Sequence, residues 1–285
     1  MTTPHPTPQP GPGLDLAQLR ALRSPHPAAA AIPDRISAHL AEHDGYVAFS
    51  GGKDSLVALH LALQAEPNVP VVFFDSGFEY PETYQYLATV QEAFDIEIDW
   101  YQARHSTLEV LAATGHWDHR AHVSPNAPSL HRILITDPAA RAHADHGPGE
   151  VWGVRGEESD GRRIRYAIAL REEIARSCHG CCPTHRDQRR THGGVISRAD
   201  GTTAYGPVWD WTTDQIWAHI ARHQLPINPV YDKLRAIGAP EHFLRISHML
   251  DAQRLEQGRV TWLRRGWPDL FDDIATVLPR IREYV

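Results

Sequence analysis

Cysteine is scarce in this 285-residue sequence: there are three, at positions 178, 181 and 182. So tight a group excludes a disulfide framework and predicts a reducing, cytoplasmic setting. No apolar run approaches the ~20 residues that a bilayer-spanning helix needs, so no membrane partner is expected. The first residues lack the basic and apolar regions of a secretory leader. The formal charge of −7 comes without an acidic tail, and nothing draws the whole chain towards nucleic acid. No internal repeat is visible. What is left is a chain long enough for one large core with a smaller appended lobe.

The pattern of elements predicts an α/β fold with a doubly wound, mostly parallel sheet. Residues 1–13 are proline-rich and read as a disordered tail. Residues 14–23 and 34–43 read as helices, the second capped by Asp34. Strands are expected at 46–49, 69–74, 96–101 and 150–154, with helices at 54–65, 82–94 and, broken near Pro138, at 130–146. Residues 116–126 have little periodicity and read as a flap. Further on come a helix at 166–176, a hairpin around 198–201 and a helix at 212–222 capped by Thr212 or Thr213. The domain division expected is an α/β domain over 14–239 and a helical extension over 240–285. Ligands of such sheets sit at the carboxyl ends of the strands, where loop 50–55, Asp75 and Arg155 could share one crevice.

Residues 50–55 read Ser-Gly-Gly-Lys-Asp-Ser, after an apolar run and before a periodic stretch. Gly51 and Gly52 allow a tight turn and keep no side chain in the way of an anion. Their N–H groups, with those of the first helical turn, can converge on phosphate oxygens. Lys53 adds charge, and Ser50 and Ser55 add hydroxyls. The motif predicts a nucleotide ligand, ATP foremost. Its spacing is not that of a Walker A loop; it resembles the PP-loop of the ATP pyrophosphatase superfamily.

Three further blocks extend the resemblance. Phe73-Phe74-Asp75-Ser76-Gly77 with Tyr80-Pro81-Glu82-Thr83 is similar to the Asp-Thr-Gly…Phe-Pro-Glu-Thr block of the phosphoadenosine phosphosulfate (PAPS) reductase family. Serine and tyrosine replace threonine and phenylalanine. Gly153, Arg155, Glu158, Ser159 and Arg162 match its Gly-x-Arg-x-x-Glu-Ser-x-x-Arg signature. Residues 206–217 and 225–232 resemble its Pro-x-x-x-Trp and Leu-Pro-x-x-Pro-x-Tyr-Asp segments, read as architecture closing the pocket. Together the blocks run from about Tyr46 to Asp232 and imply an adenine-nucleotide α-hydrolase-like fold. The expected site has Ser50, Gly51, Gly52, Lys53, Asp54, Ser55, Asp75, Ser76 and Gly77 around ATP and Mg²⁺. Asp54 would orient the metal or cap the helix. Arg155, Arg162 and Arg163 would face an anionic acceptor, where their guanidinium forks can grip phosphate or sulfate. Lys53, Asp54, Arg155 and Arg162 are the expected catalytic set.

One departure stands out. The family's reductases carry a catalytic cysteine in a C-terminal Glu-Cys-Gly-x-His segment, and this sequence has no cysteine after Cys182. Reduction by the usual thiosulfonate route is therefore not the first expectation. Cys178, Cys181 and Cys182 leave three readings open: a [4Fe–4S] cluster with one open iron, a zinc site completed by His185, or free thiols. His116, His119 and His122 share a three-residue spacing but read as loop histidines. Residues 162–190 hold eight arginines against Glu172, Glu173 and Asp187, which suggests an anionic partner such as tRNA, a DNA backbone or a small acceptor. The leading functional reading is ATP α–β cleavage, that is, adenylation, coupled to sulfur transfer, with Cys178, Cys181 and Cys182 carrying or receiving the sulfur and a sulfur-donor protein as partner. The alternatives are a sulfonucleotide reductase and a non-catalytic ATP-binding subunit that contacts nucleic acid.

Overall fold

A computed structural model describes residues 16–115, 117–118, 129–246 and 259–285. The proline-rich stretch 1–13, His116, His119, His122 and most of segment 116–126 lie outside the described residues. Six strands, β1 (Gly45–Ala48), β2 (Val71–Asp75), β3 (Asp99–Gln102), β4 (Gly149–Trp152), β5 (Val195–Ser197) and β6 (Thr203–Tyr205), form one sheet. Their order is β3-β2-β1-β4-β6-β5. Among the described residues only β5 and β6 pair antiparallel, with Val195 opposite Tyr205; they are the hairpin expected around 198–201. The sheet is therefore mostly parallel, as the sequence pattern predicts.

The chain runs outward from β1 through β2 to β3, then returns to β4 on the other flank of β1. That reversal opens a crevice at the carboxyl ends of β1 and β4. Loop 50–55 leaves β1 there, and the segment carrying Arg155 leaves β4 there. The helices before and within this crossover are α1 (Leu16–Ala21), α2 (Ile32–His43), α3 (Lys53–Ala65), α4 (Pro81–Phe94), α5 (Thr107–Thr114) and α6 (Asp137–His146). After β4 come α7 (Asp160–Ser177), α8 (His185–His192), α9 (Thr213–His223) and α10 (Val230–Ala236). Two more helices, Arg259–Gly266 and Pro268–Val277, follow. None of the described helices is long and apolar enough to cross a membrane.

Strand residues alternate between two layers. Val47 and Val151 enter a large core with Leu56 and Leu59 of α3, while Tyr46 and Val72 pack against Ala142 of α6 on the other face. Val260, Leu263 and Phe271 of the last two helices belong to the same large core.

Several boundaries differ from expectation for identifiable reasons. Helix α2 begins at Ile32, so Asp34 lies in its first turn and is not its cap. Pro33 is tolerated there because an N–H in the first turn has no helical partner anyway. Residues Arg132–Thr136 wind as a π-turn ahead of α6, just where Pro138 cannot donate back to residue 134. Helix α7 begins at Asp160, not Tyr166, because the Ser159 hydroxyl caps it by accepting the Arg162 N–H at 3.3 Å. Arg162 and Arg163 thus sit on a helix and not in a loop. Thr212 caps α9 in a reciprocal box with Gln215.

Helix α3 meets α9 through three histidines. His60 Nδ1 lies 3.0 Å from His219 Nε2, and the His219 and His223 rings are 4.4 Å apart. Burial first, then repulsion from His223 and His60, holds His219 down to about 3; burial and His223 hold His60 down to about 4. The unfolded chain takes up these protons near pH 6.5, so stability should be lost as the pH falls from about 6.5 to 4. His219→Gln should flatten that loss by about 2 kcal/mol relative to wild type. Urea titrations at pH 7.5 and pH 4.5 would check it, and parallel losses in the two proteins would refute it.

Candidate functional site: an anion-binding loop and a thiol cluster

Loop 50–55 is shaped from inside and held from outside. Gly51 takes φ +74, a left-handed angle that favours glycine. The Ser55 hydroxyl accepts the Ser50 N–H at 3.2 Å and donates to the Gly52 carbonyl at 3.0 Å. From outside, the buried Tyr231 hydroxyl accepts the Lys53 N–H at 3.0 Å. Asn228 donates to the Gly51 carbonyl at 3.4 Å and to Thr83 at 3.1 Å. The segment read as pocket architecture thus grips the loop through two particular side chains, which the sequence did not single out. Among the described residues, the N–H groups of Gly51, Gly52 and Asp54 have no protein acceptor. They stand at the start of the 13-residue helix α3, where the backbone dipole favours an anion.

Beside the loop runs a line of fixed charge. Asp54 accepts Lys53 Nζ at 2.8 Å on one carboxylate oxygen and Arg155 Nε at 2.7 Å on the other. Asp54 is thus the shared counter-ion of Lys53 and Arg155. Arg155 is 2% exposed. It also donates to Glu157 at 2.7 Å, to the Trp211 carbonyl at 2.9 Å and to Thr213 at 3.2 Å. Burial works against its charge, but Asp54 and Glu157 outweigh burial and raise its pKa. This guanidinium ties β4's exit to α3 and to the start of α9. Arg162 pairs with Glu158, and Arg163 pairs with Asp160 at 2.8 Å in full solvent contact.

A cavity of about 720 Å³ opens alongside, lined among others by Lys53, Arg155, Glu157, Glu158, Thr213 and Arg245. That volume suits a ligand of nucleotide size. Of loop 50–55 only Lys53 is in its lining; Ser50, Gly51, Gly52, Asp54, Ser55, Asp75, Ser76, Gly77 and Arg162 are not. Asp75 is buried at the end of β2 and accepts the Gly77 N–H at 2.8 Å and the Tyr84 hydroxyl at 2.9 Å. The Ser76 hydroxyl donates to Glu79 at 2.7 Å. Burial, with Asp75 adding to it, raises Glu79 to about 7 despite that bond.

The three cysteines converge elsewhere. Cys181 Sγ lies 3.6 Å from Cys178 Sγ and 3.5 Å from Cys182 Sγ. His192 Nε2 is 3.5 Å from both Cys181 and Cys182. The histidine that joins the group is therefore His192, at the end of α8, and not His185, at its start. The group also stands apart from the loop. Ser159 and Cys178 cap opposite ends of the 18-residue α7, a span of about 28 Å at 1.5 Å per residue.

The arginine-rich stretch is less basic than its composition suggests. Of its eight arginines, five are in ion pairs: Arg162, Arg163, Arg176, Arg189 and Arg190. Arg165, Arg171 and Arg186 form none among the described residues.

Comparison with known proteins bears on this architecture. The model of the phosphoadenosine phosphosulfate reductase domain matches residues 45–244. The phosphoadenosine 5'-phosphosulfate reductase of Xylella fastidiosa (strain M12) is 25% identical over 198 residues, 68% of this chain and 70% of that protein. The one from Alkalilimnicola ehrlichii (strain ATCC BAA-1101 / DSM 17681 / MLHE-1) is 24% identical over 266 residues, 92% of this chain and 93% of its own. Among solved structures, the PAPS reductase from Candida auris in its phosphate complex aligns with a TM-score of 0.46 at 17% identity, covering 74% of this chain and 93% of that one. Since the domain match takes in well over half of the residues, this chain belongs to the phosphoadenosine phosphosulfate reductase family.

Proposed function

We propose that the protein binds ATP at Ser50–Ser55 and uses it to adenylate an anionic acceptor, which a sulfur nucleophile then attacks. The observation that carries this reading is the set of unpartnered N–H groups at Gly51, Gly52 and Asp54, beside Lys53 and the cavity. An acceptor oxygen bonds to the α-phosphorus, the α–β bridging bond breaks, and pyrophosphate leaves with the electron pair. A sulfur nucleophile from a donor protein then displaces AMP from the acceptor. The chain contributes position and charge. Gly51, Gly52 and Asp54 N–H groups and Lys53 Nζ hold the phosphates, and Arg155 keeps Asp54 and Glu157 in place. Arg245 lines the cavity and would meet the acceptor there, while Arg162 is held next to it through its pair with the lining residue Glu158. Magnesium enters no step here; it would arrive on the phosphates of the nucleotide itself.

With acceptor present, AMP and pyrophosphate should form in equal amounts, read by phosphorus NMR. Stoichiometric ADP would place the cleavage at another phosphate and overturn the reading.

The names of the relatives favour a second reading, reduction of a sulfonucleotide. Two thiols would be oxidised to a disulfide as the sulfonucleotide yields sulfite and the free nucleotide. This chain's three thiols lie at the far end of α7, so both would have to come from a dithiol protein. Sulfite release from PAPS or adenylylsulfate with a reduced dithiol donor, and no pyrophosphate from ATP, would select this reading instead.

A further inference from the structure

Cys178, Cys181, Cys182 and His192 offer four ligand atoms that all lie within 4.8 Å of one another. We infer that they bind one zinc ion in a closed tetrahedral site that fastens the end of α7 to the end of α8.

Three observations carry this. The first is spacing. Zinc holds thiolate at about 2.3 Å and imidazole at about 2.0–2.1 Å, so tetrahedral neighbours stand about 3.8 Å apart for two sulfurs and about 3.6 Å for sulfur and nitrogen. Four of the six separations are 3.5 and 3.6 Å between sulfurs and 3.5 Å, twice, between sulfur and nitrogen; the other two, from Cys178 to Cys182 and to His192, are no more than 4.8 Å. A [4Fe–4S] cube presents its irons at separate corners, and its thiolates must stand further apart than ligands sharing one ion. The group does not fit the open-iron cluster expected from the cysteine spacing.

The second observation is the orientation of His192. Its Nδ1 lies 2.9 Å from Ser177 Oγ, which is itself 2.8 and 2.9 Å from the carbonyl and carboxylate oxygens of Glu173. That contact holds the ring with Nε2 facing Cys181 and Cys182. A metal-bound histidine is oriented by just such a bond from its other nitrogen.

The third is the turn. Gly180 takes φ +88, so the chain doubles back between Cys178 and Cys181 and brings their sulfurs to one side. Four protein ligands leave no open position, which makes the site structural and not a carrier of sulfide. Binding releases the thiol protons to solvent, since each cysteine ligates as thiolate.

The test is metal analysis of protein purified without oxygen from medium rich in both metals. About one zinc per chain, little iron and no colour are expected. A brown protein with stoichiometric iron and sulfide would overturn the assignment, as would metal-free protein with three thiols open to titration. Cobalt in place of zinc should give the visible bands of tetrahedral cobalt with thiolate charge transfer. Zinc affinity in chelator competition should fall at least tenfold in His192→Ala and about tenfold in Ser177→Ala, and stay unchanged in His185→Ala. Equal losses in the His185 and His192 variants would refute the ligand set. Should His192→Ala fail to fold, His192→Cys keeps four ligands and should retain zinc; its loss would also count against the site.

Discussion

Arg155→Ala is expected to lower stability by about 3–5 kcal/mol, the range for breaking a buried ion pair from one side. The substitution strands Asp54, which keeps only Lys53, and takes from Glu157 its cationic partner, leaving it the Thr213 N–H and hydroxyl. It also orphans the Trp211 carbonyl. The thermal midpoint should drop by roughly 10 °C, taking about 2–4 °C per kcal/mol for a domain of this size class. Arg163→Ala is the comparison. That side chain is 72% exposed and its Asp160 partner 82%, so a change within ±0.5 kcal/mol is expected. Urea unfolding of both variants at neutral pH decides the matter. A loss under 1 kcal/mol for Arg155→Ala would mean that the charge network is not what ties β4 to α3 and α9. Arg155→Ala together with Asp54→Ala should recover part of the loss, because the stranded carboxylate goes too.

Gly52→Asp is expected to weaken ATP binding by more than about 100-fold, since it sets a carboxylate against the phosphates. The steric part can be separated. A Cβ at Gly52 would meet Ser50 Oγ at 3.3 Å, Tyr231 Oη at 3.6 Å and Ile246 Cδ1 at 3.8 Å. Only the Ser50 hydroxyl needs to give way, and it can rotate. Gly52→Ala should therefore bind within a few-fold of wild type. Calorimetry on the three proteins tests this. If alanine and aspartate weaken binding equally, the effect is shape and not charge; if neither does, the nucleotide binds elsewhere.

The parts of the fold that could be read from the sequence are those governed by neighbours along the chain. Strand β2 shows through the continuous apolar run Val69–Phe74, because a parallel strand is covered on both faces. Ser50–Ser55 shows because two glycines between an apolar run and a periodic stretch have few other uses. The hairpin shows through Asp200-Gly201. What stayed hidden depends on distant partners. In the sequence Arg155 shows only as a cation for an acceptor; its bonds to Asp54, 101 residues before it, and to Trp211, 56 residues after, do not show. Nothing local reports that burial. His192 follows Cys182 by ten residues, and only the course of α8 turns it back to the sulfurs. His185, three residues from Cys182, looked nearer along the chain but starts the helix whose other end does the work. The start of α7 was hidden for a different reason: Arg162, Arg163 and Arg165 weaken the apolar period, and the Ser159 cap sets the boundary in its place.

The two clasps on the anion loop also fix when it can take shape during synthesis. Gly51 waits for Asn228, 177 residues later, and Lys53 waits for Tyr231, 178 residues later. At roughly 5–20 residues per second, a ribosome needs on the order of 10 to 35 seconds to make that stretch. Until then the glycine turn has β1 and α3 on either side and only its own Ser55 hydrogen bonds to hold its curvature. A nascent chain released before Tyr231 would present the motif without the clasp, and an affinity resin bearing the nucleotide would retain finished molecules in preference to truncated ones.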